Sequence, residues 1–148
     1  MPLHIEGVPV DTLLHDIYVN ATERAARQDV RLQVEVIAWE RLIAAADARW
    51  LRHVLLNLVD DAIKSNPGGL VRIQAYPCPD DVRLTIEVRA VRSDHTPFQN
   101  AWNVDTLACT VQRMAGDLMT ARLPDGSRSA YCHLAQWVPG PADHAFAA

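Results

Sequence analysis

The chain has 148 residues, enough for one domain to bury a core without disulfides or a structural metal, and tight for two. Nearly half of the residues (49%) are apolar and 22% are charged, the balance of a folded domain rather than a disordered tail. A net charge of -4 with no basic run excludes a surface built to neutralise nucleic-acid phosphates, and the three scattered cysteines Cys78, Cys109 and Cys132 exclude a zinc knuckle or a disulfide framework.

The opening residues carry no basic segment followed by an apolar one, and nowhere do eighteen apolar residues run together, so no membrane insertion is expected and a reducing cytoplasm is the expected location. From residue 10 to 27, "VDTLLHDIYVNATERAAR" places Leu13, Leu14, Ile17, Ala21 and Ala25 on one stripe, the spacing of a helix, with Asp11 expected to cap its start. "VRLQVEVI" alternates Val30, Leu32, Val34 and Val36 against Arg31, Gln33 and Glu35, the period of a strand with one face covered. A second helical pattern begins near Asp47 and lines up Leu51, Val54, Leu55, Leu58, Ala62 and Ile63 before "NPGG" stops it.

Beyond that stop, "LVRIQAYP" and "VRLTIEVRAV" are expected to pair as antiparallel strands around "CPDD". "VDTLACTVQRMAG" is expected to be a third helix with Gly116 at its C-cap. "DLMTARL" and "SAYCHLAQWV" then give a second hairpin around "PDGS". Residues 1–139 form the expected domain and 140–148 a disordered tail. The order helix, strand, helix, two strands, helix, two strands predicts an α+β fold, a two-layer sandwich of a mixed, mainly antiparallel sheet with helices on one face. Trp39, Trp50, Trp102 and Trp137 are expected at the core or its edge from their apolar neighbours. Cys109 and Cys132 are expected as small buried hydrophobes without a nucleophilic role.

The segment "DARWLRHVLLNLVDDAIKSNPGG" carries the chemistry. Asn57, Asp61 and Lys64 share one flank of the second helix, and taken alone they describe its solvated side. Asp47, Leu51, Val54, Leu55, Asn57, Leu58, Ala62, Lys64, Pro67 and Gly68 nevertheless keep the spacing of a known pattern. The segment resembles the N-box of the ATP-binding catalytic domain of sensor histidine kinases, in the ATPase superfamily shared with gyrase, Hsp90 and MutL. The resemblance extends to the element order over nearly the whole chain.

The resemblance implies that Asn57 orients the reacting water or phosphate and that Lys64 meets phosphate oxygens. It puts the Mg2+ ligand at position 61, where this chain has Asp61 in place of the usual Asn. A carboxylate still suits a hard, oxygen-seeking ion. The departures lie elsewhere. The family strand ends in Asp-x-Gly-x-Gly, whose Asp accepts from the adenine amino group. Here the matching positions are Val88, Ala90 and Arg92. Losing that acceptor would cost about 1–3 kcal/mol in a filled site, and Ala90 and Arg92 add side chains where the backbone must come close to the base. The long glycine-rich lid shrinks to "SDHTPFQNA", and the phosphate-cradling Gly-Leu-Gly-Leu becomes Ala101, Trp102, Asn103 and Val104.

These departures imply a degenerate catalytic domain, with a vestigial nucleotide site at Asn57, Asp61, Lys64, Val88, Ala90 and Arg92. It would bind ATP weakly or not at all and act in a two-component phosphorelay by docking to a response regulator receiver domain or a histidine kinase. Any dimer of the intact protein would form through an upstream helical hairpin outside this chain, and the location would be cytoplasmic, including the cytoplasmic part of a membrane-bound sensor. The alternative is a divergent, active protein histidine kinase that uses Mg2+ and ATP through Asn57, Asp61 and Lys64. A small-molecule sensor is a third reading, without a signature of its own. His15, followed by Asp16, superficially resembles a phosphoacceptor, but a strand follows its helix where a second hairpin helix would be required. His53, one turn before Asn57, borders the same helix flank.

Overall fold

A computed structural model describes residues 2–79, 82–98 and 102–137; the tail at 140–148 and Ala101 lie outside the described residues. The elements in order are β1 (Glu6–Pro9), α1 (Val10–Arg27), β2 (Arg31–Val36), β3 (Ile43–Ala46), α2 (Ala48–Lys64), β4 (Leu70–Pro77), β5 (Arg83–Val91), α3 (Asp105–Arg113), β6 (Asp117–Arg122) and β7 (Arg128–Ala135). Five strands make one sheet in the order β2-β4-β5-β7-β6, and β1 pairs with β3 in a separate ribbon. β2 runs parallel to β4, while the other neighbours are antiparallel. The expected α+β sandwich, mixed and mainly antiparallel, is therefore the one observed.

α1 buries Leu13, Leu14, Ile17, Ala21 and Ala25, and α2 buries Leu51, Val54, Leu55, Leu58, Ala62 and Ile63. Those are the stripes the periodicity indicated. Against them stand Val71, Ile73 and Ala75 of β4, Leu84, Ile86, Val88 and Ala90 of β5, and Ala130, Cys132 and Leu134 of β7. Each set keeps the strand period of two.

α2 is fixed at both ends. The Asp47 carboxylate accepts from the N–H groups of Arg49 at 3.1 Å and Trp50 at 3.2 Å, and from His4 N–H at 2.8 Å. It caps the helix and ties the N-terminal segment to it. These backbone bonds, that from His4 foremost, hold the Asp47 carboxyl below its ordinary range. At the other end the Asn66 side chain donates to the carbonyls of Leu70 and Val91, both at 3.0 Å, locking the stop to β4 and β5.

Several expectations are corrected. Asp11 does not cap α1: the cap residue is Pro9, with no side-chain bond, and the Asp11 carboxylate accepts from Thr12 N–H and Arg41. β1 and β3 were not expected. α3 is shorter than 104–116, and Met114 rather than Gly116 is its C-cap. Gly116 N–H instead donates to the Val111 carbonyl and Ala115 N–H to that of Gln112, a Schellman closure. Gly116 is required for space, because a Cβ there would overlap the His133 carbonyl oxygen. Trp102 is buried and Trp137, 41% exposed, lies at the edge of the core, but Trp39 is wholly exposed. The strand expected to begin at Val82 begins at Arg83, and Val82 is 72% exposed. Cys132 is buried as expected, whereas Cys109 is exposed. Among the described residues no helix is long and apolar enough to cross a membrane.

Candidate functional site

The residues singled out on α2 come together. Asn57, Asp61 and Lys64, with His53 one turn earlier, line one wall of an open groove of about 430 Å3. Trp102 and Asn103, just before α3, and Thr106 and Leu107 of its first turn line the other. All three α2 residues are exposed. The Asn57 amide donates to the His53 carbonyl at 2.7 Å, which turns it back along its own helix. Among the described residues no three His, Cys, Asp or Glu side chains are placed to hold a metal. Asp60 and Asp61 both line the groove, but Asp60 is taken up by Arg24, at 2.7 Å.

The other three residues are placed apart from that groove. Val88 and Ala90 are fully buried on β5, beneath the helical layer, and offer no polar atom from their side chains. Arg92, just past β5, lines a separate recess of about 240 Å3 with Ser65, Asn66, Pro67, Ser93 and Asp94. The six positions thus divide among a polar groove, a closed strand and a separate recess.

What closes the strand is a cluster that the sequence reading did not single out. Arg128, the first residue of β7, stands opposite Ala90 in the ladder and is 7% exposed. Its Nη2 donates to Ser65 Oγ, at the C-cap of α2, at 2.6 Å. The guanidinium therefore spans the gap between β5–β7 and α2. The Phe98 ring lies 4.5 Å from it and the Trp102 ring 4.7 Å, and Arg92 also sits 4.5 Å from the centre of Phe98. Two cations and two aromatic faces, attracted through the ring quadrupoles, thus fill the space between sheet and helix. Burial lowers the pKa of Arg128; the nearby Asp61 carboxylate acts the other way and Arg92 adds to the lowering. One signal of this was legible: Arg128 has the parity of Ala130, Cys132 and Leu134, which puts a cation at a core-facing strand position. Phe98 has no such pattern, since it lies in a loop.

The solvent side of the sheet carries a second polar cluster. Glu87 is 4% exposed and accepts from Arg89 Nε at 2.8 Å, Ser129 Oγ at 2.8 Å and Tyr76 Oη at 3.3 Å. Beside it Thr85 Oγ1 and His133 Nδ1 lie 2.8 Å apart, and the His133 ring stacks with Tyr131. Every one of these groups has a partner, which is how a buried carboxylate is tolerated there.

No family model matches the chain, and no curated protein does either. Solved structures do. The catalytic domain of histidine kinase ThkA superposes with a TM-score of 0.75 at 15% identity, covering 90% of this chain and 97% of that one; ThkA has also been solved in complex with the response regulator TrrA. Histidine kinase AdeS of Acinetobacter baumannii gives a TM-score of 0.70 at 11% identity, over 91% of this chain and 68% of its own. Full-length ShkA, in complex with AMPPNP, gives 0.74 at 17% identity over 95% of this chain and 33% of its own. The chain has the fold of a histidine kinase catalytic domain.

Proposed function

We propose that the chain is a catalytic-like module of two-component signalling whose purine pocket has been filled from within, and that it works by docking to a receiver domain or a histidine kinase. The placement of Arg128 carries this reading. In the family pattern the adenine lies between the N-box helix and the strand ending in Asp-x-Gly-x-Gly. In this chain the corresponding elements are α2 and β5, and the side chain that reaches from beside Ala90 to Ser65 is Arg128, held against Phe98 and Trp102. An adenine ring entering that gap would displace a buried cation and two aromatic side chains, and it would find Val88 where an acceptor is needed.

A second reading keeps Mg2+ and ATP, and one observation favours it. Asn57, Asp61 and Lys64 still share a groove, and their donor set of one amide, one carboxylate and one ammonium suits a magnesium-bound polyphosphate. The tail of a nucleotide has groups to meet it, while the base does not.

Calorimetric titration of the chain with Mg-ATP separates the two. No binding tighter than roughly 100 μM, about -5.5 kcal/mol, is expected. Tighter binding would establish the second reading. Docking is read separately, by mixing the chain with receiver domains and following complex formation; a panel that gives no complex with any receiver or kinase would remove the docking role.

A further inference from the structure

We propose that β2 is the seam of a two-fold homodimer, in which two copies of this chain pair edge to edge into one ten-stranded sheet. Among the described residues β2 is an edge strand, bonded only to β4. The N–H groups of Arg31 and Ile37 donate inward, to Gly69 at 2.9 Å and Ala75 at 2.8 Å. Because a strand residue directs its N–H and C=O to the same side, and successive residues alternate, the peptide groups of Leu32, Val34 and Val36 face outward along the open edge. The strand has no proline and no bulge among the paired residues, the devices by which proteins ordinarily blunt such an edge.

The side chains identify the occupant. In an antiparallel pairing with a second copy, a two-fold axis at Gln33 makes Leu32 and Val34 of opposite copies a hydrogen-bonded pair, which uses the outward peptide groups. The same register places Arg31 of each copy directly opposite Glu35 of the other. Opposite charges so placed are stabilising, and the symmetry supplies the pair twice. Moving the axis to Val34 keeps the peptide bonds but sets Arg31 against Ile37 and Glu35 against Gln33. A shift of one residue puts side chains of opposite faces against each other. Only the axis at Gln33 matches both backbone and charge, and an isologous contact of this kind closes at two copies.

The surroundings fit. Leu32 and Val34 are only half-buried on the helix side, and Tyr18 of α1 is 38% exposed beside them. Together with His15 they line a groove of about 590 Å3 along the strand. Pairing would cover these apolar groups.

Sedimentation equilibrium of the whole chain over micromolar to millimolar concentrations tests the seam. The wild-type chain is expected to pass from monomer to dimer. Val34→Pro removes an N–H that faces away from β4 and has no partner among the described residues, so it should leave the circular dichroism spectrum unchanged and hold the chain monomeric. Arg31→Glu and Glu35→Arg each create two like-charge pairs and should each weaken self-association at least tenfold. Mixed in equal amounts, the two variants carry complementary seams and should form a heterodimer at least tenfold tighter than either alone. If Val34→Pro disturbs the fold, the two charge variants, both on exposed positions, decide the matter. A wild-type chain that stays monomeric to millimolar concentration overturns the proposal, as would a capture of extended peptides by β2 without self-association. A folded Val34→Pro chain that still dimerises, or a mixture no tighter than its components, does the same.

Discussion

Arg128 Nη2 donates to Ser65 Oγ at 2.6 Å, so the first residue of β7 holds the C-cap residue of α2 across the boundary between the two layers. Such a bond from a charged donor is among the stronger ones, and here it also fixes the guanidinium against Phe98 and Trp102. The loop residue Phe98 is thereby part of the core, 3% exposed, although it belongs to no helix or strand.

Phe98→Ala is expected to lower the unfolding free energy by about 3 kcal/mol in urea denaturation, the usual cost of emptying an aromatic site. Part of that loss belongs to the cations. A double-mutant cycle with Arg128→Met should give a coupling of about 1 kcal/mol. A coupling near zero would mean that ring and guanidinium merely share space.

The Tyr76 hydroxyl reports on the sheet's solvent-side cluster. Burial, reinforced by the Glu87 carboxylate, pushes its pKa up to about 12. Since the folded state holds the phenolic proton more tightly than the unfolded chain, this group contributes stability that is fully present below its ordinary value of about 10. The contribution is lost as pH rises through the folded value. Glu87→Gln keeps the shape and removes the charge. Ultraviolet titration should then find Tyr76 ionising at lower pH, still above its ordinary value because burial remains, and the alkaline loss of stability, which still begins near the ordinary value, should end at lower pH and be smaller. An unchanged titration would mean that Glu87 exerts no field on the hydroxyl.

Ala115 has φ of 60°, the left-handed conformation that the Schellman closure of α3 demands and that an L side chain resists. Ala115→Gly should raise stability by about 0.5–1 kcal/mol, measured as a higher urea midpoint with an unchanged slope. Loss of stability would show that the Ala115 methyl makes packing contacts that outweigh its strain.

α1, α2, β2, β4, β5 and β7 were legible because their apolar residues recur at 3.6 or 2 over long enough runs to fix a face, whereas α3 and β6, which bury only Val111 and Leu118, were placed by the glycine and turn signals that bound them. β1 and β3 were not. "EGVP" and "IAAA" are four residues each, with glycine, proline and alanine where strands favour branched side chains, and they pair with each other only because the tertiary fold brings them together. Trp39 was misplaced for a related reason: an apolar neighbourhood in sequence is not one in space, and the stretch after β2 runs over the surface. The groove residues Asn57, Asp61 and Lys64 lie one helical turn apart, so their grouping follows from local geometry. The filling of the gap beside them depends on Phe98 and Arg128, thirty residues apart in sequence, and no local pattern announces a contact across that distance.

Asp61 supplies the last test, because it is the α2 residue that departs from the family pattern while keeping its place in the groove. If that substitution alone set the weak nucleotide binding proposed for this chain, Asp61→Asn would restore it. The gap between α2 and β5 argues otherwise. Arg128 stays bonded to Ser65 and covered by two rings whatever stands at position 61, and Val88 still offers the base no acceptor. Asp61→Asn should therefore leave the heat of Mg-ATP titration indistinguishable from that of the parent chain. Because the residue is exposed, its stability should stay within about 0.5 kcal/mol, with any change a decrease, since the Asp61 carboxylate favours the charged form of Arg128. Micromolar binding by Asp61→Asn would locate the defect on the helix instead, and would show that the Arg128 cluster yields to a nucleotide without needing to be removed.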